Sequence, residues 1–245
     1  MIRFFSLALV FLTRIPVPLW FEPEPQDWGN SVFFFPFVGL LIGGLLAGLD
    51  ALFASVDPGV AAALLLTIWV LLTGGLHLDG LADTADAWLG GGDRDKTLAI
   101  MKDARSGPMA IIAIVLLLLI KFATLQVGVA HQAWAMLVVT PALGRAAILW
   151  LLLTTPYVRP GGIGMIYANH LPRTACLLLL LAGSAVSLWV FGWDGIILLL
   201  WLGASLLCLR QGLVRRLGGI TGDTLGAACE LTEATVLVML VLLSH

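Results

Sequence analysis

The sequence predicts an all-α fold, a polytopic bundle of helices embedded in a membrane, with residues 1–245 forming a single domain. The composition gives the first reason, because 60% of the residues are hydrophobic and only 11% are charged, unlike a soluble globular domain. The apolar residues also fall into runs long enough to cross the hydrocarbon core of a bilayer as helices. Finally, the cationic residues avoid every second linker between these runs, which is typical of a polytopic membrane protein.

Seven apolar segments are predicted to span the membrane: 33–54, 59–76, 108–128, 133–153, 175–192, 195–209 and 231–244. Because the turn at 192–195 is short, we expect the fifth and sixth segments to form a helical hairpin. The run that precedes all of them, 2–12, is too short to span and is followed by two prolines, which cannot continue a helix. This run predicts an amino-terminal interfacial or re-entrant helix.

The positions of the cations indicate the orientation in the membrane. The net charge is only -2, which gives no reason to expect a nucleic acid as partner. With seven spans, all Lys and Arg residues but two fall on one face, which the positive-inside rule predicts to be cytoplasmic. The exceptions, Lys121 and Arg145, interrupt apolar segments, where a buried cation requires a partner or a water-filled cavity. We predict a functional role for Arg145, whereas Lys121 can snorkel to the interface.

An acidic motif directly follows the second apolar segment. Asp79, Asp83 and Asp86 stand at positions i, i+4 and i+7, which share one face of a helix. Their mutual repulsion would be relieved by a bound divalent cation, and hard oxygen ligands without a thiolate favour Mg²⁺. We therefore predict that these carboxylates are metal ligands. His77 could assist proton transfer, orient Asp79 or make only a local hydrogen bond.

A second motif repeats the outer spacing of the first. Residues 74–86 and 218–230 both read GG-x3-D-x6-[DE], so Asp223 matches Asp79 and Glu230 matches Asp86. The two copies predict paired acidic elements that converge on one cavity, with Asp223 as a further metal ligand. Glu233 follows Glu230 by one helical turn and could extend this acidic face.

Cationic residues near the acidic motifs are candidates for binding phosphate esters. Lys102 and Arg105 follow a glycine run at 90–92, and Arg14 ends the amino-terminal apolar run. Residues 94–96, which lie between the glycine run and Lys102, are predicted to be a solvated loop. Acids and cations on one face predict a metal-dependent phosphoryl-transfer site.

Six stretches resemble the cobalamin synthase family in the right order along nearly the whole chain: RIPVP, FFFPFVGLLIGG, GGLHLDGLADTADAW, IMKDARSGPMA, PALGRA and GGITGDTLGAACELTE. The resemblance implies an integral Mg²⁺-dependent transferase of a prokaryotic cytoplasmic (inner) membrane. Such an enzyme joins adenosylcobinamide-GDP to α-ribazole, or to its 5'-phosphate, and releases GMP in a late step of cobalamin biosynthesis. A homo-oligomer is compatible with this resemblance.

With these substrates, Asp79, Asp83 and Asp223 are predicted to hold one or two Mg²⁺ ions that bridge the diphosphate. The proton of the attacking ribose hydroxyl is then accepted by Asp86 or, alternatively, by Glu230, while Arg105 and Arg145 pair with phosphate oxygens.

Two other classes remain open. The segment Asp79-Gly80-Leu81-Ala82 partly matches the DG-x2-A signature of CDP-alcohol lipid phosphotransferases, but Asp83 stands where that signature has Arg. Paired acidic elements would also suit a cation-coupled secondary transporter.

Overall fold

The computed structural model describes residues 1–103 and 105–243. Their helices are α1 (Ile2–Leu12), α2 (Pro25–Ser31), α3 (Phe35–Leu52, preceded by the 3-10 turn Val32–Phe34), α4 (Pro58–Thr73), α5 (Leu76–Gly90), α6 (Arg94–Ile100), α7 (Pro108–Ala130), α8 (Trp134–Thr154), α9 (Gly162–Asn169), α10 (Arg173–Leu217) and α11 (Gly222–Leu243). The all-α prediction is confirmed, since the described residues contain no strand longer than one isolated bridge, between Tyr157 and Ile220. The last predicted span ends at residue 244, which lies outside the described part.

The number of spans differs slightly from the predicted seven. Five helices are long and apolar enough to cross a membrane, and the pair α4 and α5 adds a sixth if it counts as one bent span. The longest helix, α10, has 45 residues but is broken at Gly192, whose backbone is not helical. The described helices give the predicted seven spans if the pair α4 and α5 counts as one span and the two parts of α10 count as two.

Both ends of α10 return to the same place, as expected of a helical hairpin. Near its start, Arg173 donates a hydrogen bond of 2.5 Å to the Leu153 carbonyl, and near its end Arg210 donates one of 2.8 Å to the Thr154 carbonyl. These acceptors are neighbours at the end of α8. The predicted hairpin is therefore confirmed, with its turn at Gly192.

A sharp bend separates α4 from α5. Gly74 and Gly75 both have left-handed backbones, with φ of 64° and 68°, a conformation that glycine adopts without steric cost. The chain turns by 88° at this point. As a result, α5 does not continue α4 but lies across the end of the bundle.

Small residues allow the central helices to pack closely. A Cβ atom at Gly39 of α3 would lie 2.5 Å from the Pro141 carbonyl oxygen of α8, and one at Gly43 would lie 2.5 Å from the Leu137 carbonyl oxygen. This is the close backbone contact that the spacing G-x-x-x-G permits between membrane helices. On another side, α8 packs against α11, which carries the second acidic motif.

The loops and short helices that carry the cations lie together, at what we call the polar end of the bundle. It consists of residues 13–31, 74–103, 105–107, 155–172 and 218–223. Contacts join its parts: His170 Nδ1 lies 3.0 Å from Gln26 Oε1, and Arg94 donates a hydrogen bond of 2.8 Å to the Leu217 carbonyl. The linker after α7, the turn of α10 and the end of α11 meet at the opposite end, around a cavity of about 210 Å³.

Two boundaries differ from the sequence prediction. The last span was expected from residue 231, but α11 already begins at Gly222 and includes the second acidic motif. It can do so because its buried carboxylates meet buried cations, described below. Residues 94–96 form the start of α6 rather than a loop, with Asp93 capping that helix through a 2.8 Å hydrogen bond from the Lys96 backbone.

Candidate active site

The first acidic motif lies on α5 at the polar end. Asp79 is exposed, and Asp83 and Asp86 are half-buried. On the other side of the same helix, Leu78 and Leu81 are buried, with 8% and 6% of their surface exposed. The helix is thus partly embedded in the bundle, with its apolar side buried and its acidic face open at the polar end.

The second acidic motif begins α11. Thr221 and Thr224 cap this helix reciprocally, because the Thr221 backbone N–H donates to Thr224 Oγ1 at 2.8 Å and the Thr224 N–H donates to Thr221 Oγ1 at 3.3 Å. Asp223 lies in the first turn, where a carboxylate is stabilised by the helix dipole. The cap therefore fixes the position of the Asp223 backbone.

Arg159 is a site residue that the sequence analysis did not single out. The backbone of Val158 donates to the Ile220 carbonyl at 2.9 Å, which brings the loop after α8 to the start of α11. Arg159 then binds Asp223 Oδ2 at 2.7 Å. These residues are 64 positions apart, so no local pattern predicts the pair.

The two acidic motifs are in direct contact. A Cβ atom at Gly80 would lie 2.7 Å from the Asp223 carbonyl oxygen, and one at Gly226 would lie 3.2 Å from the His77 carbonyl oxygen. The predicted convergence of α5 and α11 is therefore confirmed. It brings Asp79, Asp83 and Asp223 close enough to repel one another electrostatically.

Asp86 binds the beginning of α7. Its Oδ2 accepts a hydrogen bond of 2.5 Å from the Gly107 backbone N–H, and its Oδ1 accepts one of 2.9 Å from the Ala110 N–H. These N–H groups have no acceptor within their own helix, so the carboxylate caps α7 from outside. The metal and base roles predicted for Asp86 stay predictions.

Of the predicted phosphate-binding cations at the polar end, Arg14 and Lys102 are exposed and make no ion pair within the described residues. The Arg14 side chain lies over Gly74, at the start of the acidic motif. Arg105 is 89% exposed and pairs with Asp103 at 2.8 Å. Its hydrogen bonds lower the pKa of the Asp103 carboxyl to about 2.

Four buried charged residues form a second group, the ion cluster: Lys121, Arg145, Glu230 and Glu233. Lys121 Nζ lies 2.6 Å from Glu230 Oε2 and 2.5 Å from Glu233 Oε2, and Arg145 pairs with Glu233 Oε1. The expectation that Lys121 snorkels is wrong, because two carboxylates hold it inside the bundle. The predicted need of buried cations for partners is confirmed. The catalytic roles predicted for Arg145 and Glu230 stay predictions.

His77 lies between the acidic face and the ion cluster. Its side chain is buried, its backbone touches Gly226, and Lys121 and Arg145 act on it electrostatically. Within the described part of the chain, its Nδ1 atom has no hydrogen-bond partner. The ring is therefore not held at Nδ1 by the local hydrogen bond that was one of its predicted alternatives.

Carboxylates of the polar end have the donor chemistry that Mg²⁺ prefers, but they are not gathered into a complete cage. Among residues 1–103 and 105–243, no three His, Cys, Asp or Glu side chains are close enough to form a metal site by themselves. Mg²⁺ is usually held by one or two carboxylates together with substrate phosphates and water. Asp79 and Asp223 meet that requirement.

Fold and site together define a polytopic membrane protein with a carboxylate-rich site, flanked by cations, at one end of its bundle. A family model described as cobalamin-5-phosphate synthase matches residues 4–241. The chain therefore belongs to the cobalamin-5-phosphate synthase family, in agreement with the resemblance of its motifs.

Close relatives match this chain over nearly their whole length. The chain is 50% identical over 240 residues to the adenosylcobinamide-GDP ribazoletransferase of Pseudomonas syringae pv. syringae (strain B728a), covering 98% of this chain and 99% of the relative. It is 52% identical over 239 residues to the protein of that name from Pseudomonas putida (strain W619), covering 97% and 98%. No solved structure matches this chain.

Proposed function

We propose that this protein is an adenosylcobinamide-GDP ribazoletransferase. It would join adenosylcobinamide-GDP to α-ribazole, or to its 5'-phosphate, and release GMP. Relatives of that name support the proposal, since they are about half identical over the full length. The structural observation that carries it is the packing of Gly80 against Asp223, which places two acidic motifs beside exposed cations. The cations of the polar end support a cytoplasmic location of the site, in the inner membrane of a prokaryote.

Asp79 and Asp223 are the proposed ligands of Mg²⁺. Asp79 is exposed, and Arg159 binds Oδ2 of Asp223, so that Oδ1 has no hydrogen-bond partner among residues 1–103 and 105–243. When bound, the metal would offset the negative charge that develops on the phosphate oxygens.

Asp83 is the proposed acceptor of the proton from the attacking hydroxyl. Asp86 and Glu230 are the acceptors expected from sequence. Both oxygens of Asp86 accept hydrogen bonds from backbone N–H groups, and Glu230 is buried with its Oε2 bound to Lys121. Within the described residues, Asp83 accepts no hydrogen bond and stands on the same helix face as Asp79. A carboxylate without competing donors can approach the hydroxyl at hydrogen-bond distance, as general base catalysis requires.

Arg14 and Lys102 are the proposed partners of the diphosphate. Both are exposed and have no carboxylate partner in the described part of the chain, so they can pair with phosphate without breaking an ion pair. Arg105 would first have to leave Asp103, and Arg145 is enclosed in the ion cluster. Since phosphoryl transfer requires little covalent chemistry from the protein, holding both substrates in line would supply much of the rate.

The proposal is tested by measuring GMP release from adenosylcobinamide-GDP and α-ribazole with purified protein, at a series of Mg²⁺ concentrations. Asp83→Asn should lower kcat by roughly 10²–10⁴-fold without changing the Mg²⁺ concentration that gives half the maximal rate. Asp79→Asn should raise that concentration. Asp194→Asn, which removes a carboxylate at the opposite end of the bundle, is the matched control and should behave as the unaltered protein.

Near-normal activity of both Asp79→Asn and Asp83→Asn would contradict the assigned roles. The same preparation tests the two alternative functions. A lipid phosphotransferase is tested by adding a CDP-activated lipid and an alcohol, and a cation-coupled transporter by recording ion flux in proteoliposomes. Release of CMP, or ion flux without GMP release, would overturn the proposed function.

A further inference from the structure

We propose that a cavity beside the α10 hairpin binds one acyl chain of an anionic phospholipid, with the lipid phosphate against Arg173 and Arg210. This site is separate from the acidic face, and the inference does not depend on the proposed reaction.

The cavity has the size and the walls of a lipid site. Its volume is about 510 Å³, within the range of pockets that bind organic ligands. Helices α3 and α8 form one wall, and the two arms of α10 form the other. None of the described residues that line the cavity is charged, and its larger wall residues include Phe37, Leu40, Trp150, Leu180, Leu202 and Leu206.

The hairpin packs loosely on the rest of the bundle. In the most apolar 18-residue stretch of α10, only 11% is buried within the protein, against 67% for the corresponding stretches of α8 and α11. An empty space between membrane helices forfeits the dispersion contacts of the side chains around it. In a bilayer, the apolar group at hand to fill that space is an acyl chain.

Two arginines lie where the cavity approaches the polar end. Arg210 of α10 binds the carbonyl of Thr154, at the end of α8. The cavity wall begins one helical turn away on each helix, with Leu206 four residues before Arg210 and Trp150 four residues before Thr154. Arg173 binds the adjacent Leu153 carbonyl. The guanidinium groups therefore stand about one turn above the apolar walls.

Neither arginine is neutralised. Within the described residues, Arg173 and Arg210 make no ion pair with a carboxylate, and each guanidinium has more N–H donors than the hydrogen bonds that it makes there. Phosphate is the acceptor that matches such donors, and basic pockets between membrane helices bind anionic headgroups in this way. A second copy of the chain would bring its own cation-rich polar end to the same level, where like charges repel.

Two glycines make the cavity testable without disturbing the packing. Gly183 and Gly203 line it from the two arms of α10, and a Cβ atom at either would meet nothing within 4 Å. The side chain of Gly183→Leu or Gly203→Leu therefore starts in open space and should occupy part of the cavity. Gly48→Leu is the matched control, because Gly48 is equally unobstructed but lies on α3 outside the cavity.

The measurement is the amount of phosphatidylglycerol and phosphatidylethanolamine that stays with each detergent-washed protein, by mass spectrometry. We expect the unaltered protein and Gly48→Leu to retain phosphatidylglycerol, and both cavity-filling variants to retain roughly tenfold less. The double variant Arg173→Gln with Arg210→Gln should lose the preference for the anionic lipid.

Equal retention of phosphatidylglycerol by the filled variants would overturn the proposal, and so would equal retention of both lipids by the unaltered protein. A change of oligomeric state in the filled variants, with bound lipid unchanged, would show that a second copy occupies the cavity instead. Because both glycine positions accommodate a Cβ atom, the filled variants are expected to fold, and they decide the matter even if the double arginine variant is poorly produced.

Discussion

Carboxylates and cations meet in two regions of this molecule, and the regions differ in how the charges balance. In the ion cluster, Glu230 and Glu233 face the same number of cations, and every carboxylate has a partner inside the bundle. At the polar end, among the residues that the structure describes, Arg159 pairs with Asp223, and Asp79 and Asp83 make no ion pair. A balanced buried cluster fixes the positions of helices, whereas an unbalanced group near water retains free oxygens for a metal and a substrate.

The largest effect is expected when the balance of the ion cluster is removed. Lys121→Met leaves Glu230 with no cation in direct contact and Glu233 with only Arg145, so the free energy of unfolding should fall by about 3–5 kcal/mol. Thermal or denaturant unfolding in detergent measures this change. The double variant Lys121→Met with Glu230→Gln restores the balance and should recover most of the loss. A single variant as stable as the unaltered protein would contradict the structural role of the cluster.

A smaller effect is expected where the two acidic motifs touch. Gly80→Ala adds a methyl group 2.7 Å from the Asp223 carbonyl oxygen, which forces α5 away from α11. Overpacking of this kind costs about 1–3 kcal/mol of stability, and a displacement of about 1 Å can reduce catalysis by roughly 10²-fold. Unfolding and GMP release are measured together. Gly44→Ala, where a Cβ atom meets nothing within 4 Å, is the control, and equal behaviour of the two variants would show that the contact is unimportant.

The smallest effect concerns Asp86, which belongs to the polar end but has its oxygens engaged. Asp86→Ala removes the cap of α7 and should lower the free energy of unfolding by about 0.5–2 kcal/mol. Asp86→Asn keeps one acceptor oxygen, so it should be less destabilising and should retain GMP release within a few-fold. If Asp86→Asn is instead as inactive as Asp83→Asn, Asp86 takes part in proton transfer, as the sequence had indicated.

Local patterns predicted most of the fold. Apolar runs located the spanning helices, and the short turn at 192–195 indicated the hairpin that Gly192 forms. The start of α11 was placed nine residues too late, because carboxylates normally exclude a segment from a membrane core. Glu230, which precedes the predicted span, is held inside the bundle by Lys121, 109 positions away, and no local pattern reveals such a distant pair.

For the candidate site, spacing located its residues but not their contacts. The repeated GG-x3-D pattern indicated that Asp79 and Asp223 belong together, and the packing at Gly80 agrees. The engagement of Asp86 with α7 and the pairing of Arg159 with Asp223 depend on how loops meet in three dimensions. The sequence therefore predicts which residues share a helix face, whereas the partner that each carboxylate binds is known only from the fold.

The ion cluster also affects how the protein is inserted into the membrane. Lys121 and Arg145 belong to α7 and α8, which leave the ribosome before α11 brings Glu230 and Glu233. A cation in the middle of a helix opposes insertion by about 2.5–3.5 kcal/mol, and the carboxylates of α11 oppose its own insertion in the same way. Three helices that each enter the bilayer at a disadvantage become stable together. The charges of α7 and α8 are therefore neutralised only after α11 has been synthesised and has entered the bilayer.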